Sequence, residues 1–90
     1  MADAPTKQQL PPPTLTTLVS LLGTQVLVAL GQIPNPMTNQ AEPDAEQASH
    51  GIELISMLEA KTANNRTPEE SQLFEAVLHQ LRMLFVQMKK

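Results

Sequence analysis

The pattern of apolar residues is clearest near the end of the chain, where it predicts a helix from Thr67 to Lys90. Apolar side chains recur there at alternating steps of three and four residues, which places them on one face of a helix. This face consists of Phe74, Val77, Leu81, Leu84 and Met88, widened by Leu73, Leu78 and Phe85. A face of that width is expected to pack against two neighbouring elements. Thr67, Pro68 and Glu70 can form an N-cap, a first-turn proline and a capping box, so the helix should begin there.

A second apolar pattern predicts a helix from Thr14 to Leu30. One side of this helix carries Leu15, Leu18, Val19, Leu22, Val26, Ala29 and Leu30, and Leu21 and Val28 extend it. Its polar strip is narrow, and no charged residue occurs between Lys7 and Glu42. A helix that is apolar over most of its circumference is normally buried on most sides. Gly31 can end the helix by taking up the left-handed conformation.

Three interpretations of this first helix compete. A transmembrane span is disfavoured, because the apolar run is shorter than the roughly 20 residues that a span needs. A signal peptide is a closer alternative, since Lys7 precedes the run and Ala29 to Gly31 loosely resembles a cleavage site. Asp3 and the polar interruptions weaken that alternative. The pattern favours the third interpretation, a central helix of a soluble bundle.

A third pattern predicts a helix from Asp44 to Ala63, after a connector that Pro34 and Pro36 keep out of regular helix. Its apolar face consists of Ala45, Ala48, Ile52, Ile55 and Leu58. Gly51 lies beside this face and would let another helix come close. Asn64 can end the helix in a left-handed conformation and lead into the last helix after a short turn.

The three patterns together predict an all-α fold with three helices. The second and third helices form a helical hairpin, and the strongly apolar first helix packs against them. Residues 1–13 are predicted to be a disordered, proline-rich tail, and residues 14–90 a single helical domain. The predicted core consists of Leu18, Leu22, Val26, Ile52, Ile55, Leu58, Phe74, Val77, Leu81 and Leu84.

The composition limits how much core this domain can build and which partners it can have. The chain has 90 residues, a net charge of −3 and no cysteine. A domain of this size buries a thin core, and without disulfides or a thiolate zinc site self-association is the common remedy. The acidic balance argues against a nucleic-acid binder, which needs a basic surface for phosphates.

The two histidines are the strongest candidates for metal chemistry. Glu46 and Glu53 lie one turn on either side of His50, and Glu75 lies one turn before His79. A carboxylate–imidazole metal site could be built from such neighbours. Helical periodicity, however, places both histidines on polar faces, whereas metal sites in bundles need ligands that point inward from facing helices. The solvated interpretation is therefore favoured, and no metal site is predicted.

Catalytic and cofactor-binding patterns are not indicated elsewhere. The glycines Gly23, Gly31 and Gly51 are scattered, so they do not form a phosphate-binding loop. No serine has an inward-facing base within reach by spacing. The sequence predicts no catalytic residue, no cofactor and no small-molecule substrate, and thus a protein that is not an enzyme.

Small side chains form a row along the first helix. Thr16, Ser20 and Thr24 recur every four residues, with Gly23 alongside and Leu27 flanking them. Small residues let two helix backbones approach closely, and a two-fold dimer would place the row against its own copy. The alternative, that this row is simply the solvent face of the helix, stays open from the sequence.

Three apolar side chains fall on outward positions of the later helices. Met83 and Val86 lie opposite the main face of the last helix, and Met57 lies on the polar side of its own. Single exposed apolar residues are ordinary. The alternative is a second contact surface, for which the flexibility of methionine would be suited.

The segment Leu30 to Thr38, which reads LGQIPNPMT, resembles the loop signature of a bacterial family of short proteins, domain of unknown function 1844. The later segments 57–62, 67–70 and 81–83 are similar to the second half of that family, so the resemblance covers residues 14–87. The family usually has glycine where this chain has Asn39 and Asn64, and asparagine also tolerates a left-handed backbone. The resemblance implies a soluble, intracellular, all-helical protein and implies no activity.

The sequence predicts a non-catalytic helical module for protein–protein interaction or oligomerisation, located in the cytoplasm. Its expected partner is a second copy or another helical protein, with no nucleic acid and no membrane. The predicted self-association residues are Thr16, Ser20, Gly23, Thr24 and Leu27. The alternative is a small secreted or membrane-associated protein whose first helix is a targeting segment.

Overall fold

The computed structural model describes residues 10–89 and contains three helices within them. They are α1 (Leu15–Ala29), α2 (Ala45–Lys61) and α3 (Pro68–Met88). Each helix contacts the other two, and the described part of the chain contains no strand. The predicted all-α, three-helix fold is therefore confirmed. Most of the predicted disordered tail, residues 1–9, lies outside the described residues.

Each helix begins with a side-chain cap at the first residue of its predicted segment. The Thr14 side chain accepts a hydrogen bond from the Thr17 N–H, and the Asp44 carboxylate accepts from the first turn of α2. Thr67 and Glu70 form a complete capping box at the start of α3. These caps satisfy backbone donors that would otherwise lack partners, so the starting points follow from local sequence alone.

The end of α1 is also the predicted one. Gly31 has φ +81°, and its N–H donates to the Val28 carbonyl at 3.0 Å. The Gln32 N–H donates to the Leu27 carbonyl at 3.0 Å, which completes a Schellman motif. A side chain at position 31 would meet both the unfavourable positive φ and the ring of Pro43, 3.3 Å from the added Cβ.

The end of α2 differs from the prediction. Among the described residues, Asn39 is the only non-glycine residue with positive φ, so Asn64 is not left-handed. The helix ends earlier, where the Thr62 hydroxyl donates to the Leu58 carbonyl at 2.9 Å. The Arg66 Nε–H donates to the Thr62 carbonyl at 3.3 Å. Because these side chains satisfy terminal carbonyls, this end needs no left-handed residue.

The connector between α1 and α2 is organised by Asn35. Its backbone N–H donates to the Gln40 carbonyl at 2.9 Å, and its side-chain Nδ2 donates to Glu42 at 3.2 Å. Asn39 closes the turn with φ 60°, the left-handed conformation expected where the resembling family usually has glycine. The connector therefore contains a defined turn that is held by hydrogen bonds.

The core lies where the three helices meet. Its buried members are Val19, Val26, Ala29, Leu30, Ala48, Ile52, Ile55, Phe74, Leu78 and Leu81. Of the predicted core, five residues are in this set, namely Val26, Ile52, Ile55, Phe74 and Leu81. Four more are half-buried and pack against it, namely Leu22, Leu58, Val77 and Leu84.

Leu18 does not belong to the core, and that part of the prediction is wrong. Its side chain is 43% exposed, whereas the neighbouring Val19 is fully buried. Consecutive residues of a helix point about 100° apart. When Val19 and Val26 face α2 and α3, Leu18 therefore lies on the outer side of α1.

Gly51 allows α1 and α2 to approach closely, as the sequence predicts. A Cβ at position 51 would overlap the Cγ2 methyl of Val26. Val26 is 1% exposed and β-branched, so it has little freedom to move away. The helix-propensity penalty of glycine is thus offset by the packing distance that it permits.

We expect Gly51→Ala to lower the free energy of unfolding by about 1–3 kcal/mol, because overpacking outweighs the gain in helix propensity. In a Val26→Ala background the overlapping methyl is absent, so the same change should be neutral or stabilising. Urea denaturation of the wild type, the two single variants and the double variant measures the coupling energy between positions 26 and 51. An identical effect of Gly51→Ala in both backgrounds would contradict the assigned contact.

Candidate functional site

The outer face of α1 carries exposed apolar and hydroxyl side chains. We define it by Thr16, Leu18, Ser20, Leu21 and Thr24, all of which are exposed. Leu21 is 57% exposed and Leu18 43% exposed. The hydroxyl residues and Leu21, together with Thr17 and Pro11, line a shallow groove of about 230 Å³. A helix that binds the core on one side thus offers a second, weakly polar side to solvent.

The structure divides the predicted self-association residues into two groups. Thr16, Ser20 and Thr24 lie together on the outer face of α1. Gly23 is buried, so its predicted place in an outward-facing row is wrong, whereas Leu27 is half-buried at the edge of that row. Both belong to the contact between α1 and α3.

The position of α3 explains why these two residues are covered. Gly23 is buried, and a Cβ on it would lie 3.7 Å from the Cγ1 of Val77. Leu27 is half-buried beside Val77 and Leu81. By helical spacing Leu27 lies close to the row of Thr16 and Ser20, so only the placement of α3 assigns it to the inside.

The hydroxyl groups at both ends of the groove already donate within the chain. The Thr24 Oγ1 donates to the Ser20 carbonyl at 3.0 Å, and the Thr17 Oγ1 donates to the Pro12 carbonyl at 2.7 Å. A buried donor without a partner is costly, but these two donors have partners before any docking occurs. The outer face of α1 can therefore be covered by an apolar surface without leaving either of these donors unpaired.

Sequence reasoning missed Leu21 as a functional candidate. It places Leu21 among the residues that extend the apolar side of the helix. A usable signal was nevertheless present, because Leu21 follows Thr17 by four residues and precedes Thr24 by three. Residues with these spacings share one side of a helix. Leu21 therefore belongs with the hydroxyl residues and not with Val19 and Val26.

Helix α1 contains no charged residue, whereas α2 and α3 both do. No residue from Leu10 to Ala41 has a charged side chain. The charged residues of the described part all lie from Glu42 onward, where acidic side chains outnumber basic ones. Docking on α1 therefore requires no charge on this face to lose its hydration, which is the costly step at charged surfaces.

The outward apolar residues of α3 form a different kind of surface. Met83 is 51% exposed, and it lines a wide shallow depression with Val86, His79 and Arg82. Because the Arg82 charge lies within this depression, a partner that covers it would have to supply an acceptor. Met57 is also exposed, but it lies on α2 and does not line this depression.

The histidines are both exposed, on α2 and α3 respectively. Residues 10–89 contain no group of three or more histidine, cysteine, aspartate or glutamate residues arranged to hold a metal ion. Buried polar or charged side chains are likewise absent from this part of the chain.

None of the three helices described between residues 10 and 89 has the length and apolar character required to cross a membrane. The first helix, which the sequence offers as a candidate targeting segment, contributes Val19 and Val26 to the core.

Comparison with protein families returns one match that spans the helical bundle. A family model described as Domain of unknown function (DUF1844) matches residues 12–87. The match begins at Pro12, whose carbonyl accepts hydrogen bonds from the start of α1, and it ends one residue before the last residue of α3. No curated protein and no solved structure matches the chain. The family unit thus coincides with the three packed helices.

Proposed function

The chain belongs to the DUF1844 family, and we propose that it is a non-catalytic interaction module that binds a helical protein surface through the outer face of α1. One observation carries the proposal. Leu18 and Leu21 are exposed side by side on a helix that has no charged residue. In this proposal the core side of α1 holds the domain together and its outer side holds the partner.

The energetics favour this face over the others. Full burial of a leucine side chain is worth about 1.5–3 kcal/mol, so covering the exposed half of Leu21 contributes on the order of 1 kcal/mol. The competing surface around Met83 gains similar apolar area but must also pair the Arg82 guanidinium. A partner that is itself apolar and uncharged therefore fits α1 best.

The targeting alternative conflicts with the role of α1 in the core. Removal of α1 by cleavage would take Val19 and Val26 out of the packed interior and expose Ile55 and Phe74. We propose instead that α1 stays in the mature protein and that the protein acts in the cytoplasm. The lack of cysteine supports this location, because small secreted domains usually depend on disulfides.

Leu21→Glu tests the proposal, with Met83→Glu as the matched control. Both changes place a carboxylate at a half-exposed apolar position of a helix, so they should affect the fold alike. The tagged chain and an untagged copy are produced together in the native host, and the protein that co-purifies with each tagged variant is quantified. We expect bound protein with wild type and Met83→Glu, and at least a tenfold loss with Leu21→Glu.

Circular dichroism of each variant must first show the helical content of the wild type. Equal loss of bound protein with both variants would move the binding surface away from α1. Absence of any bound protein from the wild-type sample, whether the untagged copy or another chain, would overturn the proposed function.

A further inference from the structure

We infer that the partner on the outer face of α1 is a second copy of this chain, with the two α1 helices antiparallel about a two-fold axis beside Leu21. The inference rests on the proposed function, because it names the occupant of the same face. It follows from the distribution of charge, from the shape of the face and from the end of α1 at which the carboxylates lie.

The distribution of charge allows two copies to meet through α1 at low electrostatic cost. The chain has a net charge of −3, so two copies repel each other through most of their surfaces. Among the described residues, all charges lie beyond α1, from Glu42 onward. A contact between two α1 helices buries no charge, whereas a contact through α2 or α3 would bring charged residues of both copies together.

The carboxylates near the end of α1 decide the orientation. The Asp44 N–H donates to the Ala29 carbonyl at 2.7 Å, which holds the start of α2 against the end of α1. Glu42 and Asp44 line a cleft there together with Gln25 and Val28 of α1. In a parallel pair these acidic groups of both copies would lie at the same end of the contact.

An antiparallel pair separates these groups. A helix of 15 residues is about 22 Å long, so the carboxylates of the two copies would lie roughly that far apart. This distance is about two Debye lengths at 0.1 M salt, and the repulsion is then screened. The helix dipoles also favour this arrangement. Because α1 has no acidic residue in its first turn and no basic residue in its last, its dipole is not compensated by side chains, and two antiparallel dipoles attract each other.

The shape of the face fits the same arrangement. The bulky Leu18 and Leu21 lie in the first half of α1, and the smaller Thr24 lies in the second half. With the axis beside Leu21, Leu18 of one copy faces Thr24 of the other, so a large side chain meets a small one. The two Leu21 side chains meet at the axis, next to the grooves lined by Thr17 and Ser20.

The size of the contact predicts a reversible dimer. A face about 22 Å long and 10 Å wide covers on the order of a few hundred Å² on each copy, below the roughly 800 Å² per partner of a standard interface. Contacts of this size are weak, so we expect dissociation in the micromolar range. Sedimentation velocity should show monomer in dilute samples and dimer at high micromolar concentration.

Disulfide trapping tests the orientation, because the chain contains no cysteine of its own. Single-cysteine variants are oxidised at a concentration at which the wild type sediments as a dimer. Cysteine at Leu21 should trap a homodimer. Cysteines at Leu18 and Thr24 should trap the mixed pair in preference to either homodimer. Cysteine at Thr16 should not react with its own copy, since the two residues would lie about 15 Å apart along the axis. Met83→Cys places a cysteine at an exposed position of α3 outside the proposed contact, so it measures disulfide formation by random collision.

The outcomes test the orientation, the binding site and the identity of the partner separately. Trapping at Thr16 and Leu21 alike would indicate a parallel pair and overturn the proposed orientation. Trapping of Met83→Cys as rapidly as Leu21→Cys would show random collision and overturn the site. If the wild type stays monomeric at high micromolar concentration while Leu21→Glu still abolishes binding in the host, the second-copy inference fails and the proposed function stands.

Discussion

Phe74→Ala is expected to lower the free energy of unfolding by about 3–5 kcal/mol, which removes most of the stability of a domain this small. Phe74 is fully buried where the three helices meet, so its loss leaves a cavity that the surrounding residues cannot fill completely. The ring also lies beneath the Arg66 guanidinium, 5.3 Å from the ring centroid to Cζ. That contact adds a smaller contribution that alanine would also remove.

Phe85→Ala is the matched control for this prediction. Phe85 is the other phenylalanine of the chain, it lies on the same helix, and a cation, Lys89, lies 5.5 Å from its ring centroid. It is half-buried at the edge of the core, so its truncation leaves a site that water can enter. Urea denaturation should show a loss for Phe85→Ala less than half that for Phe74→Ala. Equal losses would contradict the central position of Phe74.

Leu81→Ala is expected to cost about 2–5 kcal/mol, through lost apolar burial and a residual cavity. Leu81 is 3% exposed and lies in the middle of the broad apolar face of α3. A loss of this size should lower the melting temperature by several degrees per kcal/mol. A thermal melt within about one degree of the wild type would contradict the assignment of this face to the core.

Leu18→Ala removes the same atoms from a position that is 43% exposed. We expect a cost below about 1 kcal/mol, because much of the side chain is in water before the change. The comparison is made in dilute protein, where association through α1 contributes least to apparent stability. If Leu18→Ala proved as damaging as Leu81→Ala, the outer face of α1 would have to be part of the core.

The ends of the helices show how far local sequence can predict this structure. Thr67 with Glu70 and Gly31 act on backbone groups within one turn of themselves, so their roles could be predicted without knowing the fold. Asn64 shows the limit of such reasoning. It is a good left-handed residue in general, but the side chains of Thr62 and Arg66 satisfy the carbonyls at that end. Several local solutions compete at a helix end, and propensity alone does not choose among them.

The candidate site could be predicted only in part. The spacing of Thr16, Ser20 and Thr24 places them on one side of α1 in any fold that keeps the helix. Whether that side faces solvent depends on where α2 and α3 lie. Gly23 and Leu27 sit close to this row around the helix, and α3 covers them.

The sequence by itself determined the three helices, their starting points and the single broad apolar face of α3, because these follow from periodicity and local capping. It also determined that α1 is uncharged. Tertiary structure alone decided which side of α1 is inside. A helix that is apolar around most of its circumference has no unique buried face by periodicity, so Leu18 and Val19 are equivalent candidates until neighbours are placed. Packing against both α2 and α3 buries Val19 and Gly23, and it leaves Leu18 and Leu21 on the surface where the partner is proposed to bind.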